Sequence, residues 1–190
     1  ALFGKSPFKK VIVNGLVLAE DGQKMSKSKQ NYPDPMLLVD KYGADSLRYY
    51  LLSSPVVHGQ DLRFSERGVD EVTKKLVNRV LNVLSFYETY AGAQGALLNE
   101  ESGVRIEHPA STNVLDLWII TCLNETIAFV TSALEAGELD RAARPFMDFT
   151  DNLSTWYLRR SRERFKGDDE DDKSFALETT RQVLEDMAKL

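Results

Sequence analysis

The apolar positions of this chain of 190 residues follow two different periods, and the change of period divides the chain into two parts. Near the N-terminus, apolar triplets at 11–13 and 16–18 flank Asn14-Gly15. This arrangement predicts a β-hairpin, because both turn residues tolerate positive φ. A polar, proline-containing loop is expected over 20–35, and the alternating polarity of 61–64 predicts a short extended segment.

Beyond this polar loop, apolar residues recur at spacings of three and four, which is the period of a helix. Two short helices are predicted at about 35–43 and 44–54, and Pro55 ends the second. A longer helix should follow Ser65, a candidate N-cap, with Glu66 in its first turn, where a carboxylate favours the helix dipole. This longer helix opens a predicted bundle.

Three further helices complete the predicted bundle. The second should run from about Thr112 to a C-terminal glycine, Gly137. The third should start near Leu139 and include Pro145 in its first turns. The fourth has Ser174 as its candidate cap, and its apolar pattern is still running at the end of the sequence.

The predicted fold is therefore mostly α with a small N-terminal α/β part. Residues 1–64 should form a short β-hairpin and a connecting module, and residues 65–190 an antiparallel bundle of about four helices that is incomplete at its C-terminus. A long loop is expected at 92–112, which is rich in glycine.

Composition limits the function classes. The chain is 43% hydrophobic and 28% charged, which is typical of a soluble globular protein, and no apolar run approaches the roughly 20 residues that cross a bilayer. A single cysteine, Cys122, excludes an internal disulfide framework. The two histidines, His58 and His108, lie far apart, so we expect no metal site. A reducing, cytoplasmic setting is the expectation.

The net charge of -5 argues against a uniformly basic nucleic-acid binder, but it conceals two basic stretches. Residues 1–30 carry a local balance of +4, and residues 157–166 carry another +4. Five consecutive acids at 168–172 follow the second stretch directly. Each of the two basic stretches is therefore a candidate binding surface for an anionic ligand.

The candidate chemistry lies in Lys24-Met25-Ser26-Lys27-Ser28. Lysine is a compact charge on a flexible stem and can meet the negative charge that develops on a leaving pyrophosphate. Serine hydroxyls can donate hydrogen bonds to phosphate oxygens, and Met25 is expected to anchor the loop on apolar surface. By composition and charge alone, a solvated basic loop with serines is the default interpretation of these residues.

The order of these five residues is identical to the signature loop of class I aminoacyl-tRNA synthetases, the second of their two ATP-binding motifs. Residues 29–35, 42–50 and 60–66 resemble the Ile/Val/Leu subclass. The Asn-Tyr-Pro-Asp-Pro sequence in the first of these segments is more similar to the isoleucine branch than to the others. Residues 156–165 resemble part of the anticodon-binding helical domain of that branch.

This resemblance implies an ATP-dependent, AMP-forming ligase that activates isoleucine as its adenylate and transfers it to tRNA(Ile). It implies ATP with Mg2+ as cofactor and a cytoplasmic monomer, with no membrane association. It assigns catalytic roles to Lys24 and Lys27, of which Lys27 should contact the nucleotide. It assigns ATP binding to Lys24, Met25, Ser26, Lys27 and Ser28. Residues 1–64 would then hold the C-terminal end of the catalytic domain and a module that faces the tRNA stem.

Four arginines, Arg159, Arg160, Arg162 and Arg164, are candidate contacts to the tRNA backbone, which needs positive charge and little base specificity. Arg160 and Arg164 share a helix face at i, i+4. The alternative is a solvated helix end whose cations complement the dipole. Trp156 is expected in the core rather than in a stacking surface.

The chain departs from the family in lacking a first ATP motif of His-Ile-Gly-His type, since neither His58 nor His108 lies in such a sequence. We therefore expect the amino-acid pocket to lie upstream. We also expect the segment alone to bind no cofactor and to be inactive. Two alternatives stay open: a free-standing tRNA-binding module without catalysis, and a relative specific for valine or leucine.

Overall fold

The computed structural model describes residues 4, 6–92 and 111–190. The predicted loop at 92–112 and His108 therefore lie almost wholly outside the described residues. Within the described ranges the protein is mostly helical, as predicted. It divides into two compact units, which consist of Ala1–Val72 with Ala133–Ala143 and of Thr73–Ser132 with Arg144–Leu190. The predicted domain boundary after residue 64 stays a prediction.

The first unit combines a two-stranded sheet with short helices. Its elements are β1 (Val17–Leu18), α1 (Pro35–Tyr42), α2 (Ala44–Leu52), a 3-10 helix (Pro55–His58), β2 (Leu62–Arg63), α3 (Glu66–Val72) and α6 (Leu139–Ala143). Its apolar core is formed by Leu38, Phe64 and Val69, and is called the unit 1 core below. Tyr50 packs edge-on against Phe64 with ring centroids 5.6 Å apart.

The second unit is helical in its described residues. Its elements are a π-helical turn (Thr73–Val77), α4 (Asn78–Ala91), most of α5 (Val114–Ala136), α7 (Pro145–Asp151), a second π-helical turn (Asn152–Leu158), α8 (Arg159–Lys166) and α9 (Glu170–Lys189). Its core includes Val83, Ile119, Leu153, Tyr157, Phe165 and Val183, each fully buried. The four helical spans predicted for the bundle are therefore present.

The predicted β-hairpin is wrong. β1 pairs with β2 in parallel, and residues 11–13 form no strand. Neither Asn14 nor Gly15 has a positive φ, so this dipeptide makes no hairpin turn. The sharp turn comes later, at Gly22, which has φ +81° and whose N–H donates to the Ala19 carbonyl at 2.8 Å.

Gly15 serves close packing of the backbone instead of a turn. Its N–H donates to the carbonyl of Val56 at 2.7 Å. A Cβ at this position would lie 1.9 Å from the carbonyl oxygen of Gln60, a distance that only glycine avoids. Gly15 therefore packs against Gln60, about 45 residues further along the chain, and does not form the hairpin turn that Asn14-Gly15 predicts.

The helix ends were predicted with mixed success. Asp34 caps α1 by accepting the Met36 N–H at 2.9 Å, and Gly137 ends α5 with φ +70° as expected. The predicted cap of the fourth helix, Ser174, is wrong, because α9 starts at Glu170 and Asp169 is its N-cap. Acidic residues fill the first turn, where the positive end of the helix dipole favours them.

The third predicted helix is interrupted. A turn at Arg144 separates α6 from α7, and Pro145 occupies the first position of α7, where its missing N–H costs no hydrogen bond. The prediction of one continuous helix from Leu139 with Pro145 in its first turns is therefore wrong, because Pro145 starts a new helix.

One helix of the described part, α5, is long and apolar enough to cross a membrane by length and composition. Core helices of soluble proteins meet the same criterion. α5 carries a charged residue, Asp116, that is only 1% exposed and is paired with an arginine described below.

Candidate functional site

The loop at 24–28 is held against the first unit at two points. Lys24 forms an isolated antiparallel bridge with Leu18 of β1. Met25 is half-buried and packs against the unit 1 core, which confirms its predicted anchoring role. The loop backbone is therefore attached to the fold while most of its polar side chains face outward.

The three lysines of this region differ in their partners. The Lys29 ammonium donates to Oε1 of Gln23 at 2.8 Å. Lys24 and Lys27 are exposed, and their ammonium groups form no hydrogen bond or ion pair within the described ranges. Two positive charges are thus left for an anionic ligand.

The two serines are close to each other and to the turn that follows. Their hydroxyl oxygens lie 3.2 Å apart, and the Lys29 N–H donates to Oγ of Ser26 at 3.2 Å. Ser28 is exposed, whereas Ser26 is half-buried. Ammonium and hydroxyl donors on one short loop suit phosphate oxygens rather than a metal ion.

The basic segment of α8 presents three exposed arginines, Arg159, Arg160 and Arg162. The Arg160 guanidinium lies over the ring of Trp156, 3.9 Å from its centroid, and Arg162 lies 5.7 Å from the ring centroid of Phe86. Trp156 is 48% exposed, so its predicted place in the core is wrong. The structure gives this helix an outward face of cations and an aromatic ring.

Arg164 does not belong to that outward face. Its side chain is only 11% exposed and binds Asp116 with two nearly parallel hydrogen bonds of 2.7 and 2.8 Å. It also binds Asp172 of the acidic run at 2.7 Å. Its prediction as a tRNA contact is corrected here, because its donors are occupied inside the second unit.

Asp116 is the centre of this buried network. Tyr157 and Ser111 donate their hydroxyls to it at 2.8 and 2.6 Å. Burial alone raises the pKa of Asp116, but the hydrogen bonds from Arg164, Ser111 and Tyr157 together bring that pKa below its ordinary value. Burial also raises the pKa of the Tyr157 hydroxyl, which stays protonated as a donor.

Sequence reasoning missed this network, although one signal was present. Asp116 is a lone acid in the apolar stretch Val114–Thr121 of α5, and a buried charge needs a partner. A basic residue elsewhere in the bundle was therefore required. Nothing in the sequence marked Arg164 rather than its neighbours as that partner.

A second pair that sequence reasoning missed lies in the first unit. His58 of the 3-10 helix is hydrogen-bonded to Asp140 of α6, whose side chain is 5% exposed. The pair attaches α6 to the rest of this unit and lies outside the loop at 24–28.

Cys122 packs against the core of the second unit. It is half-buried, and burial raises the pKa of its thiol. A thiol with a raised pKa is a weak nucleophile at neutral pH. Cysteine chemistry is therefore no competing explanation for the site.

Comparison with family models assigns the two parts of the chain. Residues 1–65 match the model for tRNA synthetases class I (I, L, M and V). Residues 116–190 match the model for the anticodon-binding domain of tRNA ligase. The loop at 24–28 lies in the first match, and the three exposed arginines lie in the second.

Curated relatives agree with both matches. The isoleucine–tRNA ligase of Chlamydia trachomatis serovar A is 43% identical over 185 residues, which cover 97% of this chain and 17% of that protein. The isoleucine–tRNA ligase of Treponema denticola is also 43% identical, over 192 residues. The chain thus spans less than a fifth of the length of these relatives.

Among solved structures, the chain is similar to the ternary complex of Agrobacterium radiobacter K84 agnB2 LeuRS with tRNA and LeuAMS. The TM-score is 0.62 at 23% identity, covering 93% of this chain and 21% of that chain. This likeness supports the fold. The two family matches and the relatives at 43% identity place the chain in the class I aminoacyl-tRNA synthetase family, with a catalytic-family segment joined to an anticodon-binding segment.

Proposed function

We propose that the chain is the part of an isoleucine–tRNA ligase that carries its ATP-binding loop and its first tRNA-docking helices. The complete ligase would activate isoleucine with ATP to the adenylate, release pyrophosphate, and transfer the aminoacyl group to tRNA(Ile). The isoleucine–tRNA ligases that match nearly the whole chain at 43% identity support this substrate.

The observation that carries the proposal is a pair of lysines on an anchored loop whose ammonium groups have no polar partner among the described residues. Lys24 and Lys27 lie on either side of Met25 and Ser26, and Met25 fixes this stretch to the unit 1 core. Their ammonium groups would stabilise the charge that develops on the departing pyrophosphate. Ser26 and Ser28 would donate hydrogen bonds to phosphate oxygens.

Mg2+ fits this proposal as an ion that accompanies ATP. The loop offers ammonium and hydroxyl groups, whereas Mg2+ prefers carboxylate and phosphate oxygens. We therefore assign the ion to the phosphates of ATP, where it would neutralise charge, and assign no metal ligand within 24–28.

The exposed face of α8 supports a tRNA contact. Arg159, Arg160 and Arg162 present guanidinium groups to solvent, and guanidinium groups suit phosphate oxygens. Trp156 lies beneath Arg160 on the same surface. We propose that these three arginines, without Arg164, approach the backbone of tRNA.

Isoleucine-dependent exchange of pyrophosphate with ATP tests the reaction in the full-length ligase. We expect exchange with isoleucine, and weaker exchange with valine and leucine. Efficient exchange with valine but not isoleucine would favour the valine-specific relative. Absence of exchange with any of the three, in a protein that still binds tRNA, would favour the binding module without catalysis.

The same assay on the 190-residue chain tests the predicted inactivity of the segment. We expect no exchange, because a class I site needs a first ATP motif that this sequence does not contain. Exchange by the chain alone would contradict this expectation. A cytoplasmic, monomeric enzyme is the accompanying proposal, and native mass measurement of the full-length ligase tests the monomeric state.

A further inference from the structure

The path of the loop at 24–28 depends on a residue outside the five of the motif. Asn31 is half-buried and lies three residues after Ser28. Its Oδ1 accepts the Ser26 N–H at 2.9 Å, and its Nδ2 donates to the Lys24 carbonyl at 3.3 Å. One side chain thus joins two backbone positions on opposite sides of Met25.

The chemistry of the two contacts fixes the orientation of the Asn31 amide. Ser26 offers an N–H and Lys24 offers a carbonyl oxygen, so one partner needs an acceptor and the other needs a donor. Only a side chain with both groups can satisfy this pair. A carboxylate at this position would meet the Lys24 carbonyl oxygen with another oxygen.

The backbone after the loop brings Asn31 back towards it. The N–H groups of Lys29 and Gln30 both donate to the Ser26 carbonyl, at 3.2 and 3.0 Å. Gln30 has φ +48°, a left-handed conformation that is unfavourable for a residue other than glycine. The hydrogen bonds of Asn31 and of this turn offset that strain.

From this geometry we infer that Asn31 is a positioning residue for the two lysines of the loop. It holds the backbone of Lys24 and Ser26 at a fixed spacing, and Ser26 in turn precedes Lys27. Asn31 touches no phosphate in this role and acts through the position of Lys24 and Lys27. The inference rests on the proposed function of the loop.

The test measures isoleucine-dependent pyrophosphate exchange by the full-length ligase with Asn31→Ala. Two neutral hydrogen bonds are lost, so we expect kcat to fall by about tenfold. The KM for isoleucine should stay the same, because the loop does not form the amino-acid pocket. Asn31→Asp should be impaired at least as much. Asn14→Ala, which removes an exposed amide in the same unit, is the matched control and should leave kcat unchanged.

A double variant distinguishes the positioning role of Asn31 from a merely structural one. If Asn31 acts by placing the lysines, Asn31→Ala should lower kcat much less in a Lys27→Ala background than in the wild type. Full multiplication of the two effects would overturn the inference. So would a loss of thermal stability in Asn31→Ala that accounts for the whole loss of exchange.

Failure of the inference and failure of the proposed function give different results. If Lys27→Ala impairs exchange and Asn31→Ala behaves like Asn14→Ala, the positioning role is wrong and the function of the loop stands. If Lys27→Ala has no effect, the proposed function of the loop is wrong and the inference falls with it.

Discussion

The loop at 24–28 and the basic segment of α8 both concentrate positive charge, but the structure leaves them with different amounts of it for a ligand. In the loop, Lys24 and Lys27 have no polar partner for their ammonium groups in the described ranges. The neighbouring Lys29, just after the loop, donates a hydrogen bond to Gln23. In α8, Arg164 is withdrawn into the second unit by Asp116. The remaining arginines of α8 face outward.

The two regions differ in how far along the chain the polar partners of their cations lie. The partner of Lys29, the amide of Gln23, lies six residues away. Arg164 has one nearby partner, Asp172, eight residues away, but its buried partner, Asp116, lies 48 residues away on a different helix. Positive charge in a sequence therefore marks a candidate surface, and the fold decides which of its cations a ligand can reach.

The largest expected effect comes from Arg164→Ala. This change leaves the buried Asp116 carboxylate without its cation and should lower the free energy of unfolding by about 3 kcal/mol or more. Equilibrium denaturation followed by tryptophan fluorescence measures it. Arg159→Ala, on the exposed side of the same helix, is the matched control and should change stability by less than about 0.5 kcal/mol.

Equal losses for Arg164→Ala and Arg159→Ala would break the comparison between buried and exposed arginines. The double variant Asp116→Asn with Arg164→Met sharpens it, because no buried charge is then left unpaired. We expect this double variant to recover part of the stability that Arg164→Ala loses.

The second effect concerns the loop. Lys27→Ala in the full-length ligase should lower kcat for isoleucine-dependent pyrophosphate exchange by about a hundredfold, since it removes one charge from the stabilisation of the departing pyrophosphate. Lys29→Ala should cost only a few-fold, because the Lys29 ammonium is bound to Gln23. Lys189→Ala, at the end of α9, serves as the charge control. A Lys29→Ala defect equal to that of Lys27→Ala would contradict the distinction between free and engaged cations.

Much of the fold followed from the sequence because helices depend on local signals. The glycine at 137 and the spacing of apolar residues lie within a few residues of what they determine. The β-hairpin failed for the opposite reason. β1 pairs in parallel with β2, a strand far along the chain, and the local turn signal of Asn14-Gly15 does not indicate such a pairing.

The predictions for the candidate site also succeeded where they depended on local signals and failed where they depended on distant contacts. Met25 was correctly predicted to anchor the loop, because an apolar residue among polar neighbours indicates a buried contact. Arg164 was wrongly predicted to contact tRNA, because its role depends on the distant carboxylate of Asp116. Trp156 was wrongly predicted to be buried, because the sequence of one helix does not show which of its faces its neighbours cover. Asn31 was noted only as part of a resemblance, since its two hydrogen bonds exist only in the folded loop.

The third effect is a pH dependence of stability that arises from the buried network around Asp116. The pKa of Asp116 is lower in the folded protein than its ordinary value of about 3.9, so its contribution is complete above that value and is lost as the pH falls through the folded pKa. We expect stability to decline below about pH 4. Asp116→Asn should flatten this decline in acid denaturation curves. An unchanged pH profile would show that another carboxyl group controls acid unfolding.

The smallest expected effect tests the exposed side of α8. Arg160→Ala in the full-length ligase should weaken tRNA binding a few-fold and lower the slope of log affinity against log salt by roughly one if its guanidinium meets one phosphate. Stability should be unaffected, in contrast to Arg164→Ala.

Arg160→Lys keeps the charge but loses the flat guanidinium over Trp156, so it separates charge from stacking. Lys189→Ala is again the control. If Arg160→Ala matches that control across a salt titration, the outward cations of α8 are a solvated helix surface, and of the two regions compared the loop at 24–28 keeps its role as a candidate anion site.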